Sequence, residues 1–169
     1  KGLDILLNAF ALLQKSGSPL PCKLLIAGEF YEEEEKYLQL IKELGIQDLV
    51  ILKTDFIPDD RVRYYFCAAD LIVQPYRNAT QSGVTPLAYN YEKPTIVTNV
   101  GGLPGLIDPE KTGLIAEPDP ASLAKAMERF YQLGENNFIP HLRKEKEKYK
   151  WSALTSSIIN LTKETAIKE

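Results

Sequence analysis

Residues 68–102 read AADLIVQPYRNATQSGVTPLAYNYEKPTIVTNVGG, and this stretch decides the fold. Asp70 ends a helical pattern, and Leu71–Gln74 is a short apolar strand. The polar loop Pro75–Ser82 leads into a helix over 84–92, which Lys93-Pro94 stops before the strand Thr95–Thr98. Working outward, the same alternation repeats. A helix over 3–14 carries Leu3, Leu6, Leu7, Phe10 and Leu13 on one face and ends at Ser16-Gly17-Ser18-Pro19. Strand Lys23–Ala27, helix 32–44, strand Leu49–Leu52 and a helix opening at Pro58-Asp59-Asp60 follow. After the Gly101–Gly105 loop come strand Gly113–Ala116, helices over 120–133 and 138–149, and a last helix from Trp151. Short apolar strands alternating with helices predict an α/β domain with a parallel sheet covered on both faces.

The 169 residues suit one domain, with 44% hydrophobic and 25% charged residues, ordinary values for a globular chain. A net charge of −3 supplies no basic field for nucleic acid. No apolar run approaches the roughly 18 to 20 residues that span a bilayer. Cys22 and Cys67 read as small buried hydrophobes in a reducing compartment, and His141, the only histidine, as an exposed side chain. A metal site built on His and Cys is thereby nearly excluded, and a Cys-His or Ser-His-Asp machine would have to use His141, around which nothing looks like a site. The Arg143–Lys150 run alternates signs and reads as a solvated helix face.

In parallel sheets, ligands bind beyond the carboxyl ends of the strands. That rule selects the loops Gly28–Tyr31, Thr54–Pro58, Pro75–Gly83 and Asn99–Gly105. In Thr80-Gln81-Ser82-Gly83-Val84-Thr85-Pro86, hydroxyls, an amide and a glycine meet a helix start, where backbone N–H groups lack intrahelical partners and favour anions. Ser82 or Thr85 is the expected N-cap. A plain capped helix is the competing reading. Gly101-Gly102 permits a close backbone approach or a positive φ, but Val100 stands where a dinucleotide fingerprint needs its first glycine. The pattern favours a phosphate-bearing small ligand held mainly by backbone.

The ordered motifs resemble the C-terminal, nucleotide-sugar-binding domain of GT-B glycosyltransferases, specifically the retaining family four. They are Lys1-Gly2-Leu3-Asp4 with its Leu-rich helix, Leu25-Ile26-Ala27-Gly28, Phe56-Ile57-Pro58-Asp59-Asp60, Ala68–Pro75, Lys93–Thr98, Gly101-Gly102-Leu103-Pro104, Lys111-Thr112-Gly113-Leu114 and Trp151. The resemblance covers essentially the whole chain. It implies a nucleotide-diphosphate sugar donor held in the cleft beside an N-terminal acceptor domain of the full-length protein. The sugar would pass to an acceptor with retention, without metal or cofactor. By resemblance, Lys1 contacts the donor diphosphate, where its charge would offset the leaving group's. Thr80, Gln81, Ser82, Gly83 and Val84 hold phosphates and ribose, and Phe56 and Ile57 line the base. Gly28, Glu29, Gly101 and Gly102 stand in loops near the donor. The resemblance assigns no catalytic residue.

Two departures bear on this. Many members carry two glutamates eight positions apart where this chain has Ala79 and Leu87, neither of which accepts a hydrogen bond through its side chain. The TQSG segment resembles a variant branch in which polar groups replace those carboxylates. Gly105 stands where glutamate is frequent. The alternatives to a glycosyltransferase are a non-catalytic nucleotide-sugar-binding module and a GT-B nucleotide-sugar epimerase. The resemblance further implies polysaccharide biosynthesis by a cytoplasmic enzyme, with peripheral association at the inner face of the membrane and no transmembrane segment. It places Lys1-Gly2 just after the domain's first strand, so the expected sheet lacks its central strand, and the fragment alone is expected to be inactive.

Overall fold

The computed structural model describes the backbone of residues 1–15, 21–30 and 34–166. The Ser16–Pro19 helix end, Tyr31 and the first two residues of the Glu32–Glu35 run lie outside the described residues. The order is α1 (Leu3–Lys15), β1 (Leu24–Ala27), α2 (Glu34–Leu44), β2 (Val50–Lys53), α3 (Asp59–Ala68), β3 (Ile72–Gln74), α4 (Val84–Asn90), β4 (Thr95–Thr98), β5 (Gly113–Ala116), α5 (Pro120–Leu133), α6 (Ile139–Glu145) and α7 (Trp151–Ala166). All strand pairing is parallel. It falls into two sheets, β1-β2 and β3-β4-β5. Leu24 pairs with Val50 in the first, while Ile72 and Gly113 flank Thr95 in the second.

The core lies on the three-stranded side. All four residues of β4 are buried. Helix α1 buries Leu6, Leu7, Phe10 and Leu13 and packs chiefly against α5, which buries Leu123, Met127 and Phe130. Side chains of this size each contribute about 1.5–3 kcal/mol on burial. The Phe130 ring lies 5.5 Å from that of Phe138. Local chemistry sets the bounds of α5. Asp119 Oδ1 accepts the Ser122 N–H at 2.9 Å as N-cap, Pro120 takes the first turn, and Gly134 exits at φ +77°.

Helices flank the parallel strands, as expected. The cover is uneven: β1 and β2 only half-bury alternate residues and leave Leu25 and Ile51 exposed, and α3 buries none of its side chains. Two expectations are corrected. The helix over 138–149 divides at Glu145 into α6 and a 3₁₀ turn, Lys146–Tyr149. Residues three apart eclipse in a 3₁₀ turn, and the pairs Lys148–Glu145 and Lys150–Glu147 have that spacing. Cys67 is exposed and Cys22 half-buried, and both are free thiols. His141 is exposed, as its neighbours suggested.

Candidate functional site

A cleft of about 730 Å³ opens at the carboxyl end of β3. It is lined by Lys1 and by the chain from Tyr76 to Val84, with Leu87 on the next turn. Each segment reaches it for a local reason. Gly2 adopts φ +82°, and a Cβ there would stand 2.0 Å from the Pro75 carbonyl oxygen. Only glycine lets the start of the chain cross the end of β3 this closely. The crossing sets Lys1 Nζ 5.6 Å from the centre of the Tyr76 ring, within cation–π range.

The loop after β3 is pinned from two sides. At its root, Gln74 and Thr85 are both buried, and Gln74 Nε2 donates to Thr85 Oγ1 at 2.7 Å. Among the described residues, Gln74 Oε1 has no hydrogen-bond partner. Thr98, ending β4, donates its hydroxyl to the Tyr76 carbonyl at 2.6 Å. Gly102 N–H donates to the Thr80 carbonyl at 3.1 Å. A Cβ on Gly101 would fall 1.6 Å from the Ala79 carbonyl oxygen, and one on Gly102 would fall 2.3 Å from that of Thr80. The glycine pair therefore lets the loop after β4 press against the backbone of residues 79 and 80. It shapes the cleft from behind instead of lining it.

Helix α4 starts at Val84 with Gly83 as N-cap and no side-chain cap of the usual kind. Ser82 Oγ accepts the Val84 N–H at 3.2 Å, so part of the expected helix-start donor set is already engaged. Thr85 lies inside the helix and is not a cap. The polar side chains on the cleft are Lys1, Tyr76, Arg77, Asn78, Thr80, Gln81 and Ser82, and none is acidic. Ala79 and Leu87 add apolar wall. Arg77 pairs with Asp4 in the first turn of α1.

Lys1 and the 80–84 segment thus converge from the two ends of a long sequence interval. The other candidate residues stand apart from the cleft. Gly28 follows β1 and donates to the Lys53 carbonyl at 2.9 Å, and Glu29 beside it is exposed. Phe56 is 69% exposed and Ile57 half-buried in the loop after β2. Tyr76, Arg77 and Asn78 line the cleft although sequence reading did not single them out. Their signal was their place in the loop after a buried strand, which marked the loop but not its members. A smaller cavity of about 350 Å³, lined partly by Lys111, Thr112, His141 and Lys144, lies at the start of β5, away from the strand ends that form the cleft.

Parallel strands flanked by helices, with a cleft at the strand ends, make a Rossmann-like domain. The comparisons agree. Residues 1–132 match the family described as glycosyl transferases group 1. The chain belongs to that family. It is 28% identical to the D-inositol 3-phosphate glycosyltransferase of Saccharomonospora viridis over 97% of its own length and 40% of that protein's. The chain therefore spans about two fifths of this curated relative. Anabaena HepE in complex with UDP superposes on 97% of the chain and 45% of HepE, with a TM-score of 0.80 at 18% identity. The C-terminal domain of the group 1 family protein LpcC from Francisella tularensis covers 89% of the chain with a TM-score of 0.74 at 16% identity. In that match 80% of the LpcC domain is covered. The fold is that of the C-terminal domain of GT-B glycosyltransferases.

Proposed function

We propose that this domain binds the nucleotide-diphosphate sugar donor of a retaining, family-four glycosyltransferase. In the full-length protein, an N-terminal domain would bring the acceptor to the opposite wall of the cleft. The observation that carries the reading is the convergence of Lys1 with residues 80–84 on one cleft at the end of β3, in a chain of this family. A diphosphate is doubly anionic, and a cationic, carboxylate-free cleft suits it. The ammonium of Lys1 would counter charge developing on the leaving diphosphate. Preorganised stabilisation of this kind is worth about 3–4 kcal/mol in a closed site.

Gln81 and Ser82 stand in this reading for the glutamates that many family members carry, and the TQSG segment marks a variant branch. Phe56 and Ile57 are proposed to approach the base only once the donor is bound, since they lie outside the cleft. No cofactor or metal enters the reading. The reading places the enzyme in the cytoplasm, in polysaccharide biosynthesis at the inner face of the membrane. Among the described residues, no helix is long and apolar enough to cross a membrane. Sugar transfer requires both domains, so residues 1–169 alone are expected to be inactive.

A second reading, a nucleotide-sugar-binding module without catalysis, draws on the apolar Ala79 and Leu87 in the cleft wall. The test is calorimetry of the full-length protein with UDP, GDP and ADP, followed by turnover of the matching sugar donor. Binding of one nucleotide with turnover that falls on Gln81→Ala and Ser82→Ala supports the transferase. Binding without turnover favours the module. Failure to bind any of the three contradicts both.

A further inference from the structure

The cleft holds two cations and no carboxylate, and the two cations are treated differently. Among the described residues, Lys1 has no ion-pair partner, and its ammonium faces the Tyr76 ring. Arg77, one residue beyond Tyr76, lines the same cleft with its guanidinium tied to Asp4. Asp4 itself does not line the cleft. It sits in the first turn of α1, three residues after Lys1, so the short Lys1–Asp4 segment supplies one cation to the cleft and a carboxylate to the other cation.

We propose that Arg77 is a second oxyanion-binding residue of this cleft, and that Asp4 is the carboxylate its guanidinium exchanges for the ligand's phosphate. The proposal rests on the nucleotide-diphosphate reading above and adds to it a residue and a resting partner. Among the described residues, Arg77 is engaged through Nη2 alone, by one oxygen of Asp4. The rest of the planar donor fork remains available for a phosphate, which it matches in geometry as well as charge. The Arg77 and Asp4 side chains are 57% and 38% exposed, so the pair is solvated. Exposed ion pairs shift equilibria by only about 1.4- to 5-fold, which makes the bond readily exchanged. A charge-assisted contact to phosphate in a cleft shifts them by about 10- to 100-fold. The exchange is therefore downhill when a diphosphate enters.

The test uses the full-length protein and whichever of UDP, GDP or ADP the wild type binds most tightly, with the corresponding nucleoside as an uncharged control. Arg77→Gln is expected to weaken the diphosphate about 10- to 100-fold, to reduce the salt dependence of its binding, and to leave the nucleoside unchanged. Arg77→Lys, which keeps the charge and loses the fork, should fall between the two. Asp4→Asn removes the competing carboxylate and should tighten the diphosphate by about 1.4- to 5-fold. Unchanged diphosphate affinity in Arg77→Gln overturns the proposal, as does an equal loss for diphosphate and nucleoside, which would indicate general damage to the cleft. Weaker binding in Asp4→Asn overturns the exchange. A wild-type protein that binds none of the three nucleotides overturns the nucleotide reading itself, and this proposal with it.

Discussion

Strands β1 and β5 are nearly the same peptide, Leu-Leu-Ile-Ala against Gly-Leu-Ile-Ala, yet they bury their side chains differently. Leu25 in β1 is 36% exposed, whereas Leu114 at the same place in β5 is 8% exposed. The strands' own hydrophobicity cannot account for this. Strand β5 lies beside the fully buried β4 and under α5. Gly113 allows that approach, because a Cβ there would stand 1.9 Å from the Thr95 carbonyl oxygen. Among the described residues, strand β1 has β2 as its one ladder partner, and the helix after β2 buries none of its side chains. Burial is decided by what covers a strand. The candidate site sits at the end of the well-covered sheet, where a rigid scaffold can hold a loop in place.

The strongest test of that contrast is a matched pair of truncations. Leu114→Ala is expected to cost about 2–5 kcal/mol in urea unfolding. Leu25→Ala should stay within about 0.5 kcal/mol. Equal losses would remove the distinction between the two sheets.

Gly101→Ala comes next, because it places a Cβ against the Ala79 carbonyl at a backbone φ of +53°. We expect about 1–3 kcal/mol of destabilisation and weakened nucleotide binding, read by thermal melting and calorimetry. The same change at Gly28 meets no atom within 4 Å and tests positive φ alone, since that residue sits at +119°.

Tyr89→Phe should cost about 1 kcal/mol, smaller again. The buried Tyr89 hydroxyl donates to the Leu106 carbonyl at 2.6 Å and lies 3.0 Å from Thr112 Oγ1. Burial pushes its ionisation above the ordinary tyrosine range, so the hydroxyl stays protonated and able to donate.

The smallest effect concerns acid. Hydrogen bonds from Lys146 and then Arg143 hold the Glu92 carboxyl below its usual range. A carboxyl lowered by folding contributes stability above its unfolded value of about 4.3, and that contribution is lost as pH falls through the folded value. Melting temperatures of wild type and Glu92→Gln should therefore converge in acid and separate towards neutrality.

Much of the fold was legible because each strand is bounded by residues with one physical meaning. Lys93-Pro94 before β4 and Asp119-Pro120 at the start of α5 set those elements to the residue, and β5 also falls where expected. Coverage of β1 and β2 was not legible, since an apolar tetrapeptide says nothing about its second face. Within the site, the loop after β3 was found by the strand-end rule, and Lys1 by resemblance. Arg77 was missed because its meaning depends on Asp4, 73 positions away in sequence. The glycine pair was read as permitting a close backbone approach or a positive φ, and Gly101 does sit at φ +53°, but the contact of the pair with residues 79 and 80 could not be seen without the backbone trace.

The most direct test of the central claim, that the cleft at the end of β3 receives the nucleotide diphosphate, is hydrogen–deuterium exchange of the full-length protein with and without the nucleotide it binds. The account predicts slowed exchange in peptides covering residues 76–84, with β5 and the Lys111–Lys144 cavity unchanged. Protection that spares residues 76–84 and appears elsewhere in the domain would contradict it.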